Sequence, residues 1–422
     1  MIMALPINIE SWIKNEAGHL RSTSSLCIPR RRLYLGKERE TGRPVFYDPS
    51  PYESATERAI VHGDNGWINR VAFNIAAQSF FAENRTWIVI DPAYSYMGNA
   101  EPSDIATDPL SPRAIPADQM DVLAPEFHLR CASADEIVHD NITGSYTAPL
   151  RFIGEQTLFE ILKMNKKSSM SSVMDYMIQK IVSERPGVSM DDFIAEIERM
   201  MQDDKFPRQL AWLYDMAILK LREMGRFLVR ESAWSTVGES LFKAISENRP
   251  RWIVINAGMA MDSITVSTIS TVLREIRDFA TLLRVNKIGM NIGVLINNAD
   301  AFLRERNDSA FHAIHDLIHA WGRISRIPTV VTTSNTRDMP STFVKDLDSV
   351  CGSFQEVIRC DPSGHATLID KLHAADPAAV YDMNPRVVKS FEIAEPPMKI
   401  AQLHGSTPLE TRSATVSTLG HA

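Results

Sequence analysis

The chain has 422 residues and a mass of 47.4 kDa, with 23% charged residues, 44% hydrophobic residues and a formal net charge of −7. This composition excludes collagen-like, disordered and disulfide-scaffold proteins. The acidic balance argues against a general polyanion binder, although a basic stripe inside a ring could still hold nucleic acid. At about 100–200 residues per domain, the length indicates one large α/β domain with an insertion, or two domains.

The four cysteines lie far apart, at positions 27, 131, 351 and 360, with no CxxC pair. They are typical of reduced thiols in a cytosolic protein rather than of zinc ligands or disulfides. The N-terminus lacks the basic and apolar regions of a signal peptide, and no run approaches the ~18 apolar residues that cross a bilayer. We therefore expect a cytoplasmic protein with no membrane span and no resident metal ion.

Short runs rich in Ile and Val alternate with helical patterns along the chain. Continuous apolar runs without period-2 alternation predict strands of a parallel sheet that is covered on both faces. The helical stretches between them are the crossovers that parallel strands require. The predicted fold class is α/β, with a mainly parallel, doubly wound sheet. The runs are AIVH (59–62), TWIVID (86–91), RWIVIN (251–256), IGVLIN (292–297) and TVVTT (329–333).

The remaining segments carry no such runs. Residues 95–150 are rich in Pro, Ser and Asp, and are predicted to form loop. Between 157 and 248 only helical patterns appear; Ser189 and Asp192 have capping-box spacing, and the methionines are predicted to fill the core rather than a partner groove. The predicted organisation is an N-terminal lead-in (1–32), a core (33–156 and 249–395), a helical insertion (157–248) and a disordered tail (396–422).

A glycine-bearing segment, HGDNGWINR at 62–70, follows the first predicted strand, and we expect a helix from about Val71. A strand, such a loop and a helix form the setting in which backbone N–H groups cradle phosphate. Against the P-loop spacing G-x-x-x-x-G-K-[ST], Gly63 fits the first glycine, but Asn69 and Arg70 stand at the lysine and Ser/Thr positions. The candidate nucleotide-binding residues are Gly63, Asp64, Asn65, Gly66, Asn69 and Arg70.

Three more motifs follow in order: IVIDPAYSY (88–96), GVLINNADAF (293–302), and GR (322–323) with PTVVTTSN (328–335). With the lead-in LGKE (35–38), this order resembles the HerA/FtsK-type P-loop ATPases, the motor family of DNA translocases and type IV secretion ATPases. The resemblance covers roughly residues 33–390. It implies a RecA-like P-loop fold and membership of an oligomeric ring.

The positions that carry the family's chemistry are changed in this chain. The resemblance places Asn69 at the phosphate-binding lysine, and Asn297 and Asn298 at the Walker B aspartate and glutamate. ATP hydrolysis needs cations on the γ-phosphate, an acidic ligand for Mg²⁺ and a carboxylate that polarises water. Both motifs are therefore degenerate, and ATP with Mg²⁺ is expected only if the degenerate P-loop still binds phosphate.

Asp91, Asp300 and Arg323 are the candidate catalytic residues if the chain is active. Asp91 fits a family aspartate at the end of a strand, or it caps the next turn. Asp300 lies just beyond the Walker B strand, where a shift would let it replace the lost carboxylates. Arg323 matches an arginine that faces the neighbouring subunit's nucleotide in a ring, or it is a solvated arginine at a helix end.

Two further clusters have ordinary explanations. His315 and His319 have the spacing of a zinc-binding helix, but a third ligand and a glutamate base are missing, so a solvated or interface face is expected. The basic stretch Arg30–Arg43 could contact phosphates, and is more often a solvated edge.

The sequence thus predicts a catalytically degenerate HerA/FtsK-like protein, a structural or regulatory subunit of a DNA-translocation, secretion or defence assembly. Its partners would be proteins in a homo- or hetero-oligomeric ring, including an active ATPase, with DNA reached through the assembly. The alternative is an active ATP-dependent DNA translocase that uses Arg70, Asp91 and Asp300 unconventionally. A third hypothesis is a nucleotide- or DNA-binding module without turnover.

Overall fold

The computed structural model describes residues 13, 33–47, 58–92, 115–125, 143–148, 152, 188–202, 211–224, 235–256, 263–289, 291–303, 309–339, 354, 356–370 and 387–393. The described strands are β1 (Leu33–Glu38), β2 (Pro44–Tyr47), β3 (Arg58–Gly63), β4 (Thr86–Ile90), β5 (Met120–Pro125), β6 (Gly144–Tyr146), β7 (Trp252–Ile255), β8 (Ile292–Ile296), β9 (Thr329–Thr333), β10 (Glu356–Cys360), β11 (His365–Asp370) and β12 (Val387–Ile393). The described α-helices are α1 (Asn65–Ala82), α2 (Met190–Met201), α3 (Ala211–Met224), α4 (Thr236–Ser246), α5 (Ser263–Val285), α6 (Ala299–Leu303), α7 (Ser309–His319) and α8 (Trp321–Ser325).

All the described strands belong to one sheet, in the order β2-β1-β12-β11-β10-β3-β9-β8-β4-β7-β5-β6. Every pairing from β10 to β6 is parallel, whereas β11, β12, β1 and β2 extend the sheet as an antiparallel flank. Strands β3, β9 and β8, at or beside which three of the sequence motifs lie, are neighbours. The fold is α/β, with the mainly parallel sheet that the sequence predicts.

Successive residues of the central strands alternate between two hydrophobic cores. Trp87 and Val89 of β4 join one core with Phe73 of α1, whereas Ile88 and Ile90 join the other. The second core is completed by α5 and α7, so helices cover both faces of the sheet. Because side chains alternate along a strand, a strand buried on both faces reads as a continuous apolar run.

The expectation of loop over residues 95–150 is wrong at β5 and β6, which extend the parallel edge of the sheet beyond β7. Arg251, next to β7, holds β5 through a bidentate ion pair with Asp121, at 2.7 and 2.8 Å. Hydrogen bonding to Asp121 raises the pKa of the Arg251 guanidinium above its usual value. The two strands also bury Val122 and Tyr146 in the hydrophobic cores, and β5 forms a parallel ladder with β7.

The described part of the 157–248 segment is helical, as predicted. The hydroxyl of Ser189 caps α2 by accepting a 2.9 Å hydrogen bond from the Asp192 N–H. Helix α2 packs against α3, whereas α4 packs against β6 and α5. Buried Glu275 of α5 accepts hydrogen bonds from the N–H and hydroxyl of Ser235, which caps α4. None of the described helices is both long enough and apolar enough to cross a membrane.

Candidate functional site

The sequence-predicted site residues lie where β3, β9, β8 and β4 end, at one edge of the sheet. The register places Val61 beside Thr332 and His62 beside Thr333, so β3 and β9 end level with each other. Asn297 follows β8, and Asp91 follows β4. Ligands of open parallel α/β sheets bind at the carboxyl ends of the strands, so this edge is the candidate nucleotide-binding site.

Helix α1 begins at Asn65, and the helix start expected near Val71 is therefore wrong. A single residue, Asp64, separates the last residue of β3 from the first residue of α1. Its carboxylate accepts a 3.1 Å hydrogen bond from the Gly66 N–H, and the capped helix N-terminus favours this negative charge. The residues aligned with a phosphate-wrapping loop form the first turns of a helix.

The backbone N–H groups of this segment already have acceptors within the protein. The Asp64 N–H donates to the Cys360 carbonyl at 3.3 Å. The N–H groups of Trp67 and Ile68 both donate to the Asp64 carbonyl, at 3.1 and 2.9 Å. Phosphate in a P-loop is bound by such N–H groups. In this conformation the segment offers few of them to a ligand.

Gly63 sits at the crowded junction between β3 and the strand end of β10. Its φ is 124°, and a Cβ there would lie 2.0 Å from the Cys360 carbonyl oxygen. Glycine is therefore required at this position by the packing of the two strands. Burial, together with the nearby carboxylates of Asp64 and Asp361, raises the pKa of the Cys360 thiol to about 12.

The Trp67 indole packs on the turn that joins β10 to β11. A Cβ on Gly364 of this turn, whose φ is 85°, would lie 2.8 Å from the indole carbons. The Trp67 ring also contacts Arg70, whose guanidinium lies over the ring at 4.7 Å from its centre. Arg70, the candidate phosphate cation, is thus held by an aromatic ring.

Asp91 and Asn297 form a buried polar pair. The Asn297 amide donates to Asp91 Oδ1 at 2.9 Å, and its oxygen accepts from the Thr332 hydroxyl at 2.7 Å. All three side chains are fully buried. The pair joins the ends of β4, β8 and β9, so it can act as a structural link between these strands.

Asp300 lies in the first turn of α6, buried beside the end of β9. It accepts hydrogen bonds from the Thr333 hydroxyl at 3.0 Å, and from the N–H and hydroxyl of Ser334 at 3.3 and 3.4 Å. These bonds point its carboxylate at β9. Asp300 is therefore hydrogen-bonded to the end of β9, whereas Asp91 is hydrogen-bonded to Asn297.

Asn298 adopts a left-handed conformation, with a φ of 48°, and its N–H donates to the Thr332 hydroxyl at 2.8 Å. Arg323 lies in α8, and its side chain is outside the described residues. The His315 and His319 rings stack 4.3 Å apart on α7. Among the described residues, no group of three or more His, Cys, Asp or Glu side chains is arranged to hold a metal ion.

Sequence reasoning missed three features of the site. They are the hydrogen bonds of the Thr332 and Thr333 hydroxyls, the acceptor role of the Cys360 carbonyl, and the packing of Trp67 on Gly364. The threonines stood in a predicted strand, and a hydroxyl at a strand end is the only local signal for their role. The other two are contacts between β3–α1 and the β10–β11 turn, almost 300 residues later in the chain.

No protein-family model and no curated protein matches the chain. Among solved structures, it is similar to VirB4 of Thermoanaerobacter pseudethanolicus, with 12% identity and a TM-score of 0.48, covering 86% of this chain and 96% of that one. It is also similar to the bacterial conjugative coupling protein TrwB, with 9% identity, a TM-score of 0.43, and 89% and 94% coverage.

A third similar structure is the cytoplasmic domain of the Thermomonospora curvata type VII secretion ATPase EccC. It shares 7% identity at a TM-score of 0.29, over 86% of this chain and 26% of that one. The α/β fold assignment rests on the strand order of the sheet and not on these similarities.

Proposed function

We propose that this chain is a catalytically degenerate P-loop ATPase-fold protein that acts as a structural or regulatory subunit of a larger assembly. One observation carries the proposal. In the segment aligned with the phosphate loop, three backbone N–H groups donate hydrogen bonds to Asp64. They belong to Gly66, Trp67 and Ile68. A phosphate would have to displace these bonds and approach the Asp64 carboxylate.

The chemistry of the substituted positions supports the same conclusion. Asn69 brings no positive charge to the position of the phosphate-binding lysine, and Asn297 is a neutral amide at the position of the Mg²⁺ ligand. Asn297 also uses its amide and its oxygen in the buried contacts with Asp91 and Thr332. ATP hydrolysis needs cations on the γ-phosphate, an acidic ligand for Mg²⁺ and a carboxylate that polarises water, all together.

Two further candidates, Asp300 and Arg70, have contacts that support a structural role. Asp300 is hydrogen-bonded to Thr333 and Ser334, and Arg70 stacks on Trp67. An alternative catalytic role would require both side chains to leave these contacts when ATP binds. Catalytic groups depend on placement within about 1 Å.

The role follows from what the fold retains. The core of residues 33–156 and 249–395 would supply the shape of a ring-forming subunit, and the insertion of residues 157–248 would supply contacts to protein partners. The assembly would be one of DNA translocation, secretion or defence, in which an active ATPase supplies turnover and DNA is reached through the complex.

ATP hydrolysis by the purified chain, with and without double-stranded DNA, tests the proposal. The expected result is phosphate release equal to that of a buffer blank under both conditions. Turnover that Arg70→Ala abolishes would instead establish the alternative, an ATP-dependent DNA translocase with unconventional residues. Arg70 is preferable to Asp91 for this test because it is only half-buried, so its loss should leave the fold intact.

A further inference from the structure

Helix α3 is apolar on two opposite sides. Tyr214, Ile218 and Leu221 are buried on one side. At 100° per residue, Trp212, Met216 and Leu219 fall on the other, and they are 63%, 50% and 50% exposed. A surface helix ordinarily turns a polar face to water. The prediction that methionines of this segment fill the core therefore does not describe Met216.

This apolar stripe borders a groove between α2 and α3 with a volume of about 580 Å³. Its apolar lining consists of Met201, Met216, Ile218 and Leu219. Contiguous exposed apolar surface with a polar rim marks protein interaction sites. Three of the five large exposed apolar side chains among the described residues belong to α3, so the exposure is concentrated there.

The groove lining carries two acidic residues, Glu198 and Asp215, and one basic residue, Arg222. Helices α2 and α3 together contain six acidic and three basic residues, a net charge of −3. Both arginines whose side chains are described there are already in ion pairs, Arg199 with Glu196 and Arg222 with Glu198, each at 2.5 Å. Asp215 lies in the groove lining and makes no ion pair with the described residues. The groove therefore offers negative charge beside apolar surface.

We propose that this groove, formed by α2 and the Trp212–Met216–Leu219 stripe, docks an amphipathic helix of a protein partner whose apolar face is flanked by lysine or arginine. The exposed stripe spans two helical turns, and helix-in-groove recognition uses apolar anchors at spacings of three and four residues. Asp215 and the net negative charge of the two helices favour the basic flank and speed encounter at low salt. This inference does not depend on whether the chain hydrolyses ATP.

Two fluorescent model peptides test the proposal against the full chain. Both carry leucines at helical positions i, i+3, i+4 and i+7; one flanks them with lysine, the other with glutamate. Fluorescence anisotropy gives the dissociation constant of each peptide. The lysine peptide should bind at least about tenfold more tightly than the glutamate peptide, and this difference should shrink as the salt concentration is raised.

Variants of the chain locate the binding. Leu219→Asp and Asp215→Lys should each weaken the lysine peptide by about tenfold or more. Ile324→Asp, at a 62% exposed apolar residue of α8, is the matched control and should bind as the wild type does. Circular dichroism and urea unfolding check that all three variants fold.

Two outcomes would overturn the proposal. One is equal binding of the two peptides, or binding that Leu219→Asp and Ile324→Asp weaken equally. The other is self-association by analytical ultracentrifugation that Leu219→Asp abolishes, because this would assign the groove to a second copy of the chain.

Discussion

The side-chain amide of Asn297 donates a 2.9 Å hydrogen bond to the carboxylate of Asp91, and both side chains are fully buried. The sequence resemblance places Asn297 at the Walker B aspartate, and the structure buries it as a hydrogen-bond donor. Its oxygen accepts from the Thr332 hydroxyl. The amide at this position therefore has a structural role in linking β4, β8 and β9.

Asn297→Asp should destabilise the chain. It removes the donor that Asp91 uses and places a second carboxylate against the first, where two buried like charges disfavour each other. We expect a loss on the order of 3 kcal/mol in the free energy of unfolding, measured by urea denaturation at pH 7. A variant as stable as the wild type would show that Asp91 does not depend on this amide.

The exchanged pair, Asp91→Asn with Asn297→Asp, is the matched control. It keeps one carboxylate and one amide in contact, with their positions reversed. We expect it to recover at least half of the stability that Asn297→Asp loses. If the double variant lost more free energy of unfolding than the two single variants lose together, the paired arrangement would be contradicted.

Gly63→Ala and Gly42→Ala separate packing from backbone strain. Both glycines have positive φ, but a Cβ at Gly63 meets the Cys360 carbonyl oxygen, whereas at Gly42 it meets nothing within 4 Å. We expect a loss of about 1 kcal/mol for Gly42→Ala and at least about 3 kcal/mol, or no soluble protein, for Gly63→Ala. Thermal unfolding measures both. Equal losses would mean that β3 and β10 do not meet as described.

Cys360 should resist alkylation in the folded protein. Its thiol is buried, and a pKa of about 12 leaves almost no thiolate at pH 8. After iodoacetamide treatment at pH 8, mass spectrometry should find the peptide containing Cys360 unmodified, and fully modified when the same treatment is made in urea. Labelling at equal rates in both conditions would contradict the burial of the β10 end.

The stability of the folded chain should depend on pH through Asp361, in the turn on which Trp67 packs. Its carboxylate accepts hydrogen bonds from the Ser363 hydroxyl and N–H and from the His365 N–H, which hold its pKa below the usual value. A lowered pKa in the folded state adds stability above the unfolded-state pKa of about 4, and this contribution is lost at lower pH.

Asp361→Asn measures this contribution. The wild type should be more stable than the variant at pH 7, and the difference should shrink as the pH falls below about 4, through the lowered pKa of Asp361. Other acid-sensitive groups contribute equally to both chains. Urea unfolding across this range gives the difference directly. A difference that stays constant with pH would exclude the charge of Asp361 as its source.

Much of the sheet could be predicted from the sequence. Strands β3, β4, β7, β8 and β9 lie within one residue of the predicted bounds, because a strand buried on both faces leaves a continuous apolar run. The motifs also placed Gly63, Asn297 and Ser334 at strand ends, and the structure makes these strands neighbours. These signals are local in sequence, or depend only on order along the chain.

The parts that could not be predicted depend on distant partners. In strand β5 the charged Asp121 precedes a short apolar stretch, and it pairs with Arg251, far away in sequence. The early start of α1 had one local signal, since Asp64 is a good N-cap residue, but the alignment of Gly63 with a phosphate loop favoured a later start. The contact between Trp67 and Gly364 has no local signal.

The central claim is that this edge of the sheet has lost its nucleotide site, and a titration tests it most directly. A fluorescent ATP analogue with Mg²⁺ is added to the wild-type chain and to Arg70→Ala, and anisotropy is followed to millimolar concentration. We predict no saturable binding by either protein. Saturable binding at micromolar concentration that Arg70→Ala abolishes would contradict the claim.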